Sequence, residues 1–90
     1  MDIHPGEFVY ATKGRDTGKC FIVIAAKDNY LYLCDGKSRK VSNPKKKKIK
    51  HVEKTGANDR IVVDRLSEGN KLTNKEVRNS LFKFRSEQTI

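Results

Sequence analysis

The sequence predicts a mainly β fold, a small antiparallel barrel followed by one or two short C-terminal helices, and three observations predict it. Short apolar runs separated by turn residues fill the chain from Glu7 to Asp35, one of those runs is apolar throughout, and the clearest helix-start signal comes late, at Thr73. Ninety residues suffice for one domain with a modest core. Hydrophobic residues make up 36% and charged residues 34%, with four Phe, three Tyr and no Trp, which is lean for a globular domain but too apolar for a wholly disordered chain.

The first strand is predicted over about Glu7 to Thr12, where Phe8, Val9 and Tyr10 supply the aromatic and branched side chains that suit a pleated surface. Gly14-Arg15-Asp16-Thr17-Gly18 follows as a tight glycine-flanked loop. The second strand, Cys20 to Ala26, has no polar residue and is expected to be covered on both faces. Lys27-Asp28-Asn29-Tyr30 reads as a hairpin connection into Leu31-Tyr32-Leu33-Cys34-Asp35-Gly36. With Asp28 and Asn29 as the loop residues, Ile24 would face Leu33 and Cys34 would face Val23. Cys20 and Cys34 would then lie on opposite faces of the ribbon, as buried free thiols rather than a disulfide.

A final strand is expected near Lys47 to Val52, burying Ile49 and pointing Lys48 and Lys50 outward. Thr55-Gly56-Ala57-Asn58 reads as a linker. Asn58 or Asp59 is placed to cap a short helix carrying Ile61, Val62 and Leu66 and closing at Gly69, although the Ile-Val-Val run favours a strand by propensity. Thr73 and Glu76 form a capping-box pattern, and Val77, Leu81 and Phe84 fall at i, i+4 and i+7 as one apolar stripe. The domain division is therefore a strand unit over residues 1–54, with a basic segment over 37–54, and a linker with a helical extension over 55–90.

The formal charge of +9 is unevenly distributed. Residues 1–36 carry four basic and five acidic side chains, a net of −1; residues 37–54 carry nine basic side chains against Glu53 alone, a net of +8; residues 55–90 carry seven against five. Charge needed only for solubility would be spread more evenly. Lys37, Arg39 and Lys40, then Lys45, Lys46, Lys47, Lys48, Lys50 and His51, therefore form the leading candidate site, because each phosphate a lysine neutralises releases a condensed counterion. A solvated tail or a generic localisation signal is the competing explanation of such a run. The loop residues Lys13, Arg15 and Lys19 make a second candidate surface, with Arg39 and Lys40 returning beside it. Tyr30 and Tyr32 share one face, either to stack on unpaired bases or to pack.

Other classes are disfavoured. The N-terminus lacks the basic start and apolar run of a secretory signal, and no segment reaches the length of a membrane span, so a cytoplasmic protein with no membrane partner is expected. Two cysteines and two histidines are not at zinc-ligand spacing, so no metal or other cofactor is expected. His4 and His51 have no evident nucleophile partner, and Gly14 to Lys19 lacks the Gly-Lys-Ser/Thr of a phosphate loop. The expectation is thus no enzyme and no small-molecule substrate.

Gly6-Glu7-Phe8-Val9, Gly14-Arg15-Asp16-Thr17-Gly18-Lys19 and Phe21-Ile22-Val23-Ile24, taken in that order, resemble the KOW motif of ribosomal proteins and of translation or transcription factors. Cys34-Asp35-Gly36, Arg39-Lys40 and Asn43-Pro44 running into Lys45 to His51 are similar to small bacterial KOW-domain proteins related to a eukaryotic and archaeal large-subunit ribosomal protein. The resemblance covers about residues 4–54, and the Thr73 to Phe84 stretch is similar to that family's C-terminal extension. Cys20-Phe21 departs from it, since many KOW motifs place a small residue or second glycine after the Gly-Lys pair.

The resemblance implies a Src-homology-3-like barrel, with the KOW glycine at Gly18 and the basic loop at Arg15 and Lys19. It implies RNA as partner, with large-subunit ribosomal RNA the natural target, neighbouring ribosomal proteins as further contacts, and a ribosome-associated location. Recognition would rest mainly on shape and charge. Two other classes stay open: a transcription-associated nucleic-acid binder, and a peptide-binding barrel that would expose Tyr10, Tyr30 or Tyr32 together.

Overall fold

The computed structural model describes residues 2–88. Five strands, β1 (Glu7–Ala11), β2 (Cys20–Lys27), β3 (Tyr30–Cys34), β4 (Lys45–Lys48) and β5 (Val52–Asn58), form one antiparallel sheet in the order β4-β3-β2-β1-β5. A 3-10 turn at Ile49–His51 joins the two edge strands, β4 and β5. Two helices follow, α1 (Arg60–Ser67) and α2 (Asn74–Glu87). The fold is therefore mainly β with two C-terminal helices, and the sheet is open along its edges.

β2 is covered on both faces through its first half, as its unbroken apolar run predicts. Cys20 and Ile22 belong to a core with Phe8, Cys34, Val62, Leu72, Val77, Leu81 and Phe84, so both helices lie on that face. Phe21 and Val23 belong to a second core with Ile3, Val9, Ala11, Leu31, Leu33 and Val52, backed by Ile49. That second core draws on strands from β3 to β5, so the sheet must curl around it. The second half of β2, Ala25 to Lys27, is exposed.

The hairpin departs from the simple register. Lys27 pairs with Tyr30, Ala26 with Leu31 and Ala25 with Tyr32, as two loop residues require. The register then slips between Val23 and Ala25, so that Val23 faces Leu33 and Ile22 faces Cys34. A one-residue bulge flips every later side chain to the other face. Ile24 therefore does not face Leu33, and Cys34 comes to the same face as Cys20, in one core. Both cysteines are free and buried, and burial raises their thiol pKa values to about 11 for Cys20 and about 12 for Cys34.

Two further expectations are corrected. The single strand expected near Lys47 to Val52 is two strands broken by the 3-10 turn, and Lys47, not only Ile49, turns inward. Thr55 to Asn58, read as a linker, is the second half of β5. Glu7 pairs with Asn58 and Val9 with Lys54 across a bulge, and the Thr55 hydroxyl donates to the Phe8 carbonyl at 2.8 Å. Pairing with β1 overrides the loop character of that composition.

Asp59 decides the ambiguous Ile61-Val62-Val63 run in favour of helix. Its Oδ1 accepts from the Ile61 and Val62 amides at 3.0 and 3.3 Å, and its Oδ2 accepts from the buried Ser80 hydroxyl at 2.5 Å, tying α1 to α2. The Thr73–Glu76 capping box is present in both directions, at 3.1 and 2.9 Å, and backbone hydrogen bonding at Thr73 lowers the pKa of the Glu76 carboxyl. The predicted Val77, Leu81 and Phe84 stripe is buried, and Phe84 stacks on Phe8 with centroids 4.3 Å apart.

Two glycines let the helices approach the sheet. Gly6 has φ +96°, and a Cβ there would collide with the Val63 side chain of α1; Gly36 has φ +78°, and a Cβ there would collide with the Asn74 carbonyl and the Arg78 stem of α2. Only glycine combines that conformation with that closeness. The Arg78 guanidinium donates to the Gly36 carbonyl at 2.8 Å, and the Val41 amide donates to the Asn74 side chain at 2.8 Å, fastening α2 to the turn after β3.

Candidate nucleic-acid interface

The lysine run does not act as one ribbon of charge. In β4 the pairing is Leu33 with Lys45, Tyr32 with Lys46, Leu31 with Lys47 and Tyr30 with Lys48. Alternation therefore sends Lys46 and Lys48 to the face of Tyr30 and Tyr32, and Lys45 and Lys47 to that of Leu31 and Leu33. Lys47 is only 9% exposed, with its ammonium donating to the Lys13 carbonyl at 2.5 Å, while Lys45 is half-buried. Lys46 and Lys48 are exposed, and the Lys46 ammonium lies 4.3 Å from the Tyr30 ring centroid.

Tyr30 and Tyr32 are half-buried, on the part of the helix-side face that continues past Cys34. Lys27, paired with Tyr30, joins them on that face, so one patch holds three lysines and two tyrosines. Lys27 is not among the candidates read from the sequence, although the two-residue loop that sets it opposite Tyr30 is legible there, because it lies outside the lysine-rich segment.

The 3-10 turn after β4 carries further basic residues. Lys50 is exposed, and the His51 carbonyl accepts from the Thr12 amide at 2.9 Å, which brings the turn against the basic loop. Desolvation, then the charges of Lys50, Lys48, Lys47 and Lys13, lower the His51 pKa. His51 thus takes up a proton less readily than an ordinary imidazole. Of the loop residues, Lys13 contributes to that shift, and Arg15 is exposed at the tip.

Lys19 and Arg39 are brought together elsewhere, at Asp16. This carboxylate is 5% exposed, accepts from the Arg39 guanidinium at 2.9 Å and lies 3.7 Å from the Lys19 ammonium. Burial pushes its pKa up, but the Arg39 hydrogen bond and the charges of Arg39, Lys19 and Lys47 outweigh that and hold it below its ordinary value. Arg39 therefore does return beside the loop, as an anchor between the loop and the turn after β3. Lys37 and Lys40 are exposed in that turn, whose shape is set by Asp35 accepting from the Lys37 and Arg39 amides, both at 2.9 Å.

The twelve candidate residues thus fall into two groups. Lys46 and Lys48 lie on the outer face of β4, Lys50 and His51 on the turn that follows it, and Lys47 and Lys45 on the opposite face, where Lys47 reaches the Lys13 carbonyl. Lys19, Lys37, Arg39 and Lys40 lie near the turn after β3, and Arg15 projects from the loop. Lysines on an edge strand also keep it from pairing with another chain, which explains exposed Lys46 and Lys48 without any ligand. No helix among the described residues is long and apolar enough to cross a membrane. Compared with protein-family models and with curated proteins, the chain matches none.

Proposed function

We propose that this chain is a non-enzymatic RNA-binding protein, ribosome-associated in the cytoplasm, that contacts large-subunit ribosomal RNA through the β4 edge. The observation that carries this reading is the juxtaposition of Lys27, Lys46 and Lys48 with Tyr30 and Tyr32 on one face. Cations beside half-buried tyrosine rings suit a phosphate backbone carrying unpaired bases. A peptide-binding groove is less well supported, because Tyr10 is separated from the tyrosine pair and lines a different groove.

The fold is consistent with a KOW-type, Src-homology-3-like barrel. In support, the sheet curls round one core, its edge strands are joined by a 3-10 turn, and Gly18 and Lys19 close the loop before β2.

Charge reversal separates RNA binding from edge protection. Lys46→Glu/Lys48→Glu keeps two charges on the edge, so the edge stays protected from pairing with another chain, but it replaces attraction to phosphate by repulsion. RNA affinity at low salt should collapse. The milder Lys46→Ala/Lys48→Ala variant should flatten the plot of log affinity against log salt by about 1 per lysine. Unchanged affinity and slope in both variants would remove β4 from the interface.

A further inference from the structure

Phe82 is 72% exposed, against complete or near-complete burial of the other three phenylalanines. It stands on the outer face of α2 with Arg78 and Arg85, at i−4 and i+3, while Val77, Leu81 and Phe84 face the sheet. The three residues border a groove of about 670 Å³ whose opposite wall carries Tyr10, Lys19 and Lys37. That volume is within the range of clefts that hold small ligands, about 300–1,000 Å³. Asp35 also lines the groove, but it already accepts from the Lys37 and Arg39 amides and the Ser38 hydroxyl. Four cations thus line the same groove as one exposed aromatic ring, with a single carboxylate turned to local hydrogen bonds.

The groove is also held in shape. Arg78 is braced by its bond to the Gly36 carbonyl, which uses one of five guanidinium donors. The Lys19 wall is fixed by Asp16 and Arg39, and the turn carrying Lys37 is fixed by Asp35. A lone exposed phenylalanine on a helix is ordinary. One set in a braced cationic groove has the parts of a single-strand nucleic-acid site, a stacking ring with flanking phosphate contacts.

We propose that this groove is a second RNA contact, which holds an unpaired nucleotide with its base on Phe82 and the adjoining phosphates on Lys19, Lys37, Arg78 and Arg85. It rests on the RNA-binding reading above but uses none of the β4 lysines. The protein would then grip RNA at two places: the β4 edge by charge, and α2 by stacking. This also gives a function to the C-terminal helix beyond covering the core.

The test is fluorescence anisotropy with labelled single-stranded oligouridine and a blunt RNA duplex, using the full chain, Phe82→Ala, Phe82→Tyr and Lys46→Ala/Lys48→Ala. Phe82→Ala should weaken single-strand binding by about 5- to 150-fold and leave duplex binding unchanged, with Phe82→Tyr close to the parent. Lys46→Ala/Lys48→Ala should weaken both. If Phe82→Ala binds oligouridine as tightly as the parent, or if oligoglutamate displaces oligouridine as well as unlabelled oligouridine does, the groove is not a nucleotide site. If the parent chain binds neither RNA at low salt, the RNA-binding reading itself falls with it.

Discussion

Lys47 donates to the Lys13 carbonyl from a buried position, so its removal strands that acceptor. Lys47→Met, which retains the apolar stem, should cost about 1.5–3 kcal/mol in urea denaturation, the range for hydrogen bonds to charged groups. Lys48→Ala should cost under about 0.5 kcal/mol, yet weaken RNA binding. Two neighbours in one lysine run are thereby separated into a structural and a binding residue. Asp16 makes an acid-side prediction. Its folded pKa lies below the ordinary 3.8, so the stabilisation it provides is fully present above that value and is lost as pH falls through the folded pKa. Asp16→Asn should therefore lower stability at neutral pH and reduce the difference between neutral and acid, as read by thermal unfolding across pH. His51 has the opposite sign in binding. Its pKa in the free protein is below the ordinary 6.5, and an RNA phosphate beside it would raise it, so binding takes up a proton. Affinity should rise as pH falls around and below 6.5, and His51→Gln should abolish that rise.

The helices depend on close approach to two glycine turns. Gly36→Ala combines a disfavoured left-handed φ with a collision against α2 backbone, and should destabilise by about 1–3 kcal/mol, detectable as a lower urea midpoint. Much of the element structure was legible in the sequence, for definite reasons. Phe8 to Tyr10, Cys20 to Ala26 and Leu31 to Cys34 are apolar runs too short for helices, and Thr73 with Glu76 satisfies local amides whatever the rest of the chain does. What was not legible depended on distant partners. Thr55 to Asn58 is strand only because β1 offers an open edge. The 60–67 helix was half legible, since Asp59 is a local cap signal set against the strand propensity of Ile61 to Val63, while its second bond, to Ser80 twenty-one residues on, had no local sign. The bulge at Ile24 moves Cys34 across the ribbon, and Lys27 lies outside the lysine-rich segment, which is why the candidate site was only partly visible beforehand.

In the whole molecule, the helices cover one end of a sheet face and leave the other end, with Tyr30 and Tyr32, open. The +8 carried by residues 37–54 is divided between the β4 edge and the turn after β3. The central claim is that those surfaces serve the large ribosomal subunit. It is tested most directly by sedimenting cell extract through gradients at low and high salt and blotting for the parent protein and for Lys46→Glu/Lys48→Glu, a variant that spares the structural Lys47. The account predicts that the parent travels with large subunits at low salt and is released at high salt, and that the variant stays at the top of both gradients. A parent protein that remains at the top at low salt, or a variant that sediments with it, would contradict the account.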